Sequence, residues 1–305
     1  STSAYVLDRW LFTIQAAGTY TVSQSTDVPT GQGFAYSQKI DCTTADASIG
    51  ASDYLLLQQK IEGINVQHLK FGTSSAESLT LSFWVKSNKT GTYITEFVNN
   101  NSGGAALVSQ SYTISSANTW EKKTITIDGD TSLALQNTTD AELVVYIWLA
   151  AGSNYTGGGS LNSSGWNSSY VTNTRVVGQV NFADSTSNDF YITGIQLEAG
   201  DNATPFEHLT YQESAMLCYR YYYQMANQSS PMYGTTYNGN TADRGFVFYS
   251  TPVPMNHTPT STQTVGGGTL SSTYHTVERL AWYLSLTNGD ASAGSVDYFT
   301  AEAEL

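Results

Sequence analysis

The sequence carries few charges, and very few of them are positive. Only 12% of its 305 residues are charged, about half the share that is usual in soluble proteins. Lys and Arg together number 12 against 25 acidic residues, so the formal net charge is −13. No run of basic residues occurs, and proteins that bind nucleic acid need such residues to neutralise phosphates. We therefore expect no nucleic-acid partner.

Cysteine, histidine and long apolar runs are also scarce. The two cysteines, Cys42 and Cys218, are far apart, which favours free thiols and leaves a disulfide between them as the alternative. The four histidines stand apart and form no zinc-type His-x-x-x-His pair. No stretch is long and apolar enough to span a bilayer, so we expect no membrane insertion. The chain opens on Ser1 without an initiator Met or a signal peptide, and we expect a fragment or a processed end.

Small polar residues are abundant, together with 26 Gly and 21 Tyr. Ser, Thr and Asn are weak helix formers, whereas Tyr fits strands well. In Leu79–Lys86, apolar residues alternate with mostly polar ones, which predicts a strand with one face on a core. The predicted strands are Tyr20–Gln24, Phe34–Ile40, Tyr54–Ile61, Leu79–Lys86, Tyr93–Val98, Trp120–Ile127, Leu143–Ala150 and Phe190–Leu197.

These strands predict an all-β protein built on an antiparallel β-sandwich of the jelly-roll kind. Residues 1–210 form the predicted sandwich, and residues 211–305 form a smaller C-terminal β domain for assembly or interaction. The second domain opens with a short helix over Tyr211–Cys218. The run Tyr219–Tyr223 that follows is typical of either a core strand or a subunit interface. Four further strands are predicted at Gly245–Ser250, Thr260–Val265, Leu280–Leu286 and Val296–Ala301.

Several motifs resemble, in order and spacing, a module of tailed-phage tail-fibre and virion structural proteins. They are Asp8-Arg9-Trp10, the strand Leu79–Lys86, the segment Phe190–Gly200 continued by Ala203–Glu207, and the run Leu217–Tyr222. The resemblance implies a galactose-binding-like jelly roll of the carbohydrate-binding-module kind. It also implies a place on the virion exterior, assembly in the host bacterial cytoplasm and a homotrimer. Relatives carry a further strand and an Asn-Gly turn before the first motif, which argues against a calcium site built on that turn here.

No catalytic constellation is recognisable. A Gly-x-Ser-x-Gly elbow and a phosphate-binding glycine loop are both missing. Paired carboxylates could serve a glycosidase, but Glu62, Glu96, Glu142 and Glu198 are interpreted as rim charges. We therefore expect no enzyme and no cofactor. Structural calcium at Asp128–Asp130 or Asp184–Asp189 is the alternative to simple Asx turns that close hairpins.

The segment 151–173 is the candidate site. It is rich in Gly and Ser, and a long loop in a compact domain is usually functional or disordered. Sugar rings stack their C–H faces on aromatic rings, while their hydroxyls need amide or similar partners. The candidate carbohydrate-binding residues are Trp166, Tyr170, Tyr155, Asn154, Asn162 and Asn167. Trp84, Tyr146 and Trp148 share one parity of their strands, and they fit core or inter-subunit packing as well as stacking.

The leading hypothesis is a tail fibre or receptor-binding appendage that recognises host-surface glycans without cleaving them and contacts other virion proteins. The alternative is a capsid decoration or head-fibre protein. A glycan depolymerase comes third, because the sequence shows neither a β-helix repeat nor a convergent acid pair.

Overall fold

The computed structural model of the chain describes residues 2–7, 9–225, 230–231, 233–234, 243–266, 269–286 and 295–303. Asp8 of the first motif therefore lies outside the described residues. The chain divides into two compact units, Ser1–Glu207 and His208–Leu305. The division falls just before the boundary that the sequence predicts at residue 210.

The first unit consists of two antiparallel sheets. A six-stranded sheet has the order β1-β2-β5-β10-β7-β8, and a five-stranded sheet has the order β3-β4-β11-β6-β9. The strands are β1 (Thr2–Leu7), β2 (Trp10–Gln15), β3 (Thr19–Ser25), β4 (Ser37–Thr44), β5 (Tyr54–Glu62), β6 (Leu79–Ser87), β7 (Gly91–Asn101), β8 (Gly104–Ile114), β9 (Glu121–Ile127), β10 (Ala141–Ala151) and β11 (Asp189–Ala199). Short helical turns lie at Gly63–Asn65, Gln67–Leu69, Thr172–Thr174 and Phe182–Asp184, and helix α1 covers Ser153–Thr156.

The two sheets enclose one hydrophobic core, as the alternation in β6 predicts. The side chains of Leu79, Leu81, Phe83 and Val85 are all at most 2% exposed, and they pack with residues of β5, β7, β10 and β11. The expected all-β sandwich is therefore confirmed. Three strands, β1, β2 and β8, lie outside the eight runs predicted by alternation.

The second unit begins with helix α2 (Tyr211–Tyr219), which Thr210 and Glu213 cap reciprocally. Its strands are β12 (Tyr222–Met225), β13 (Ser230–Pro231), β14 (Tyr233–Gly234), β15 (Asp243–Ser250), β16 (Thr260–Gly266), β17 (Thr269–Thr276), β18 (Arg279–Leu286) and β19 (Ser295–Glu302). Tyr221 is buried and Tyr223 packs on Phe299, so part of the tyrosine run serves this unit's own core. Among the described residues, no helix combines the length and apolarity needed to cross a bilayer.

Buried tyrosines give the first unit a pH-dependent stability. Burial raises the pKa of Tyr93 and of Tyr112 above the usual value near 10. A pKa that is higher in the folded state than in the unfolded one contributes stability below about pH 10, and this is lost as the pH rises toward the folded value. We expect the melting temperature, followed by circular dichroism, to fall steadily from about pH 9 to about pH 12.

Tyr112→Phe is the matched variant for this prediction. Within the described part of the chain, the buried Tyr112 hydroxyl has no hydrogen-bond partner, so its removal should not lower stability at neutral pH. It should, however, make the alkaline fall shallower. An identical fall in both proteins would show that Tyr112 takes no part in it.

Candidate functional site

The segment after β10 folds back over the outer face of the six-stranded sheet. We call residues 152–180 the covering segment. Its Asn162 carbonyl accepts a hydrogen bond from the Ser109 amide (2.8 Å), and Asn167 exchanges two backbone hydrogen bonds with Leu107 (3.0 and 3.2 Å). The long loop that the sequence predicts over residues 151–173 is thus held along β8 by backbone hydrogen bonds.

The face under this segment is aromatic. Trp148 of β10 points away from the main core, is 1% exposed, and packs in a cluster with Leu56, Ile94 and Val176. Packing within the chain therefore accounts for Trp148. Four half-buried tyrosines lie on or beside this face: Tyr54, Tyr146, Tyr155 and Tyr170. We refer to these four residues as the tyrosine cluster.

A buried ion pair lies at the centre of the cluster. Arg175 of the covering segment forms two hydrogen bonds to Glu96 of β7, with Nε–Oε1 and Nη2–Oε2 distances of 2.7 and 2.5 Å. Glu96 is fully buried and also accepts a bond from the Trp148 indole (3.3 Å). Burial raises the pKa of the Glu96 carboxyl, and the Arg175 guanidinium opposes that rise. This bidentate pairing of Arg175 with Glu96 fixes the covering segment on the sheet.

Aromatic rings enclose the guanidinium. Its central carbon lies 5.3 Å from the Trp148 ring centre and 5.9 Å from those of Tyr146 and Tyr155, within the range of cation–π attraction. Tyr54 meets the Tyr155 ring edge to face at 5.6 Å. Tyr170 packs on the neighbouring patch of Val98, Leu107 and Val144. Each ring of the cluster is therefore held in place by its neighbours.

The hydroxyls of the cluster, in contrast, are not used by the fold. Within the described part of the chain, none of the four phenol oxygens has a hydrogen-bond partner. Burial raises the pKa of Tyr146 to about 12, with a further contribution from Glu96, so this hydroxyl stays protonated at physiological pH. Gln58 lies opposite Tyr146 in the sheet. The arrangement offers ordered rings and neutral groups that can donate and accept hydrogen bonds.

The structure divides the six candidate residues of the sequence. Tyr155 and Tyr170 belong to the tyrosine cluster. Trp166 lies elsewhere: it meets Phe71 edge to face at 5.4 Å, packs on the main core, and donates its indole N–H to the Asp128 carbonyl (2.7 Å). Its contacts anchor the covering segment, and a role in binding stays a prediction.

The side chains of the three candidate asparagines form different hydrogen bonds within the chain. The Asn162 amide donates to the Leu107 carbonyl (2.8 Å), and the Asn167 amide donates to the Asn162 side chain (3.1 Å). Both residues therefore hold the covering segment in its place. Asn154 is exposed and donates to the Ser52 hydroxyl (2.9 Å). Their contact with a sugar likewise remains a prediction.

Sequence reasoning missed the central charges of this site. It interpreted Glu62, Glu96 and Glu142 as rim charges, but all three are at most 2% exposed, so that interpretation was wrong for them. Only Glu198 of the four is partly exposed. The sequence around Arg175 has no pattern that indicates a role for this residue in the site. The parity of β7 was the one available hint, because Glu96 and Ile94 face away from the side of Phe97.

The two acidic segments considered for calcium use their carboxylates within the protein. Asp130 accepts hydrogen bonds from the Ser132 amide and the Asn99 side chain, both at 2.9 Å. Asp184 pairs with Lys89, and Lys39 lies 3.1 Å from Asp189. Among the described residues, no group of three or more His, Cys, Asp or Glu side chains is arranged to hold a metal ion.

Comparisons with known proteins find remote structural likenesses. The enzymatically active domain of tailspike protein 4 from bacteriophage CBA120 is 14% identical, with a TM-score of 0.37; the match covers 64% of this chain and 20% of that one. The family 11 carbohydrate-binding module of a Clostridium thermocellum cellulase is 11% identical (TM-score 0.33), with 66% and 97% covered. A family 61 module solved with β-1,4-galactotriose is 11% identical (TM-score 0.31), with 62% and 88% covered.

No protein-family model matches the sequence, and the curated proteins give no match. The match spans about a fifth of the length of the tailspike enzymatic domain.

Proposed function

We propose that this chain is a non-catalytic glycan-binding protein, and that the tyrosine cluster contacts the sugar. The observation that carries the proposal is a set of four fixed tyrosine rings whose hydroxyls have no partner within the described chain. A tyrosine has an apolar ring face and a polar tip, and the tip usually finds a hydrogen-bond partner when the ring is buried. A sugar offers both kinds of surface, C–H faces and hydroxyls.

The ion pair gives the site its rigidity. Because Arg175 and Glu96 neutralise one another, the site presents little net charge to a ligand. Rings that are already ordered lose little conformational entropy on binding, which favours affinity. The proposed ligand is therefore a neutral stretch of a host-surface glycan.

For the biological setting we propose the exterior of a tailed-phage virion, as a tail fibre or receptor-binding appendage that contacts other virion proteins. The sequence motifs that resemble virion structural proteins support this proposal. A capsid decoration or head-fibre protein remains the rival, and it predicts no glycan binding at the cluster. The position of the chain on the intact particle, located by electron microscopy, would separate tail from capsid.

Glycan binding is tested by removing three hydroxyls while keeping their rings. We expect the triple variant Tyr54→Phe, Tyr155→Phe and Tyr170→Phe to bind a responsive glycan roughly ten- to two-thousand-fold more weakly, at about 0.5–1.5 kcal/mol for each of the three lost hydrogen bonds. The measurement is a glycan array followed by calorimetry with the best ligand.

Tyr211→Phe is the control for this experiment. Tyr211 is 88% exposed and belongs to the second unit, so the loss of its hydroxyl should leave both affinity and melting temperature unchanged. If the triple variant binds as tightly as the original protein, the tyrosine cluster is not the glycan site.

We further propose that the chain acts as a homotrimer, because several weak sites on one particle give firm attachment. The second unit carries an apolar groove lined by Leu209, Met216, Leu217, Val253 and Pro254. Helix α2 buries none of its own residues in the chain, and a helix of nine residues is marginal without packing. Light scattering should give a trimer mass, and Leu217→Glu should shift it toward the monomer; a monomer of 33.0 kDa for the unmodified chain would contradict the proposal.

A further inference from the structure

Besides the apolar groove of the second unit, a cavity lies in the first unit. Its lining shares no residue with the tyrosine cluster. It is a cleft of about 570 Å³, a size within the usual range for small-molecule sites. The cleft opens between the two sheets, where β1 ends and β4 begins. Its walls include Leu7, Trp10, Gln24, Gln38, Ile192 and Ile195.

Within the described residues, one buried hydrogen-bond donor in the wall of this cleft is not used by the fold. Gln38 of β4 is 6% exposed, and its neighbours across the sheet are Gln24 and Ile192. Among the described residues, no acceptor lies within hydrogen-bond reach of its side-chain nitrogen Nε2. A buried donor without a partner destabilises a protein, and an apolar residue of similar shape would not. Its presence in the wall of a cleft points to a bound acceptor.

The backbone beside Gln38 is shaped around the cleft. The pairing of β11 with β6 shifts register between Thr193 and Gln196, and such bulges are enriched beside functional sites. Within the bulge, Gly194 has φ of +60°, and a Cβ there would lie 2.4 Å from the Phe34 ring. The Thr193 hydroxyl donates to the Tyr36 carbonyl (2.9 Å) and fixes the rim.

The lining defines the class of ligand. Among the described residues that form the walls, none is charged, so the cleft does not select a phosphate, a carboxylate or an amine. Trp10, Ile192 and Ile195 offer apolar surface, whereas Gln24, Gln38 and Tyr36 offer neutral polar groups. A ligand that suits both is neutral, compact and rich in hydroxyls.

From these observations we infer that the cleft is a second sugar subsite, which takes a single neutral hexopyranose. One ring oxygen or hydroxyl accepts a hydrogen bond from Gln38 Nε2, and a C–H face lies toward Trp10. The inference rests on the proposed glycan-binding function and deepens it, because it adds a site for one sugar unit to the tyrosine cluster.

The test uses the whole chain and four probes, namely D-galactose, D-glucose, D-mannose and N-acetyl-D-glucosamine. Binding is followed by saturation-transfer NMR, and affinity by titration. We expect at least one sugar to bind and Gln38→Leu to weaken that binding about ten-fold or more. The same variant should raise the melting temperature by about 2–4 °C, because an unpaired donor is removed.

Ile195→Trp provides a second route, since a larger side chain at this lining position fills the cleft and should also abolish binding. The triple Tyr→Phe variant of the cluster should bind the monosaccharide normally. If none of the four sugars binds the unmodified protein, or if a folded Gln38→Leu binds as well as the original, the inference is overturned. Monosaccharide binding that is lost only in the triple variant would assign the sugar to the cluster, overturning the cleft while leaving the proposed function intact.

Discussion

Replacing Arg175 with methionine is expected to lower the free energy of unfolding by about 3–5 kcal/mol. The change leaves Glu96 fully buried with only the Trp148 indole as a charge-stabilising partner. Because the Glu96 carboxyl group is fully buried, its charge without the guanidinium is strongly unfavourable. Chemical denaturation followed by fluorescence measures the loss.

The double variant Arg175→Met with Glu96→Gln is the control. It removes both charges, keeps an acceptor for the Trp148 indole, and should recover most of the lost stability, since neutral replacements of a buried ion pair are often tolerated. A single variant within about 1 kcal/mol of the original protein would mean that the pair is hydrated and does not hold the segment.

The second large effect is expected at the start of the covering segment. A Cβ at Gly152 would lie 2.0 Å from the Gly50 carbonyl oxygen and 2.6 Å from that of Ala51. Both are backbone atoms, so neither can rotate away as a side chain would. We expect Gly152→Ala to destabilise the protein by about 3 kcal/mol and to displace the segment that carries Tyr155.

Gly159→Ala is the matched control in the same segment. A Cβ there meets nothing within 4 Å, so the change should alter stability by less than about 0.5 kcal/mol. Differential scanning calorimetry of both variants makes the comparison. Equal effects would show that the segment adapts its backbone freely, contrary to the contacts described.

The strands that alternation predicts are those whose two faces differ chemically. In β6, Leu81 and Phe83 face the core while Trp84 and Lys86 face the other way. This contrast is visible in the sequence as an alternation between adjacent residues. Strand β8 gives a weaker signal because it opens with Gly104, Ala105 and Ala106. Small residues of this kind are poor indicators of strands, so β8 becomes visible only through its pairing with β7.

The candidate site was predictable in position but not in form. Tyr155 and Tyr170 were named because aromatic residues stand out in a Gly- and Ser-rich segment. The course of that segment, however, is set by partners distant in the sequence, above all Arg175 with Glu96, which are 79 residues apart. No local pattern records such a pairing, and a charged residue is rarely buried without one. The burial of Glu96 therefore could not be derived from β7 alone.

The backbone bonds between the covering segment and β8 also affect how the molecule behaves at high concentration. An outermost strand exposes unused amides and carbonyls, which recruit strands from other molecules and promote aggregation. Here Leu107 and Ser109, at the outer edge of β8, already bond to Asn167 and Asn162. The segment thus occupies the positions where a foreign strand would attach. By bonding to β8, the covering segment protects this edge of the sheet from edge-to-edge aggregation, whether or not a ligand is bound.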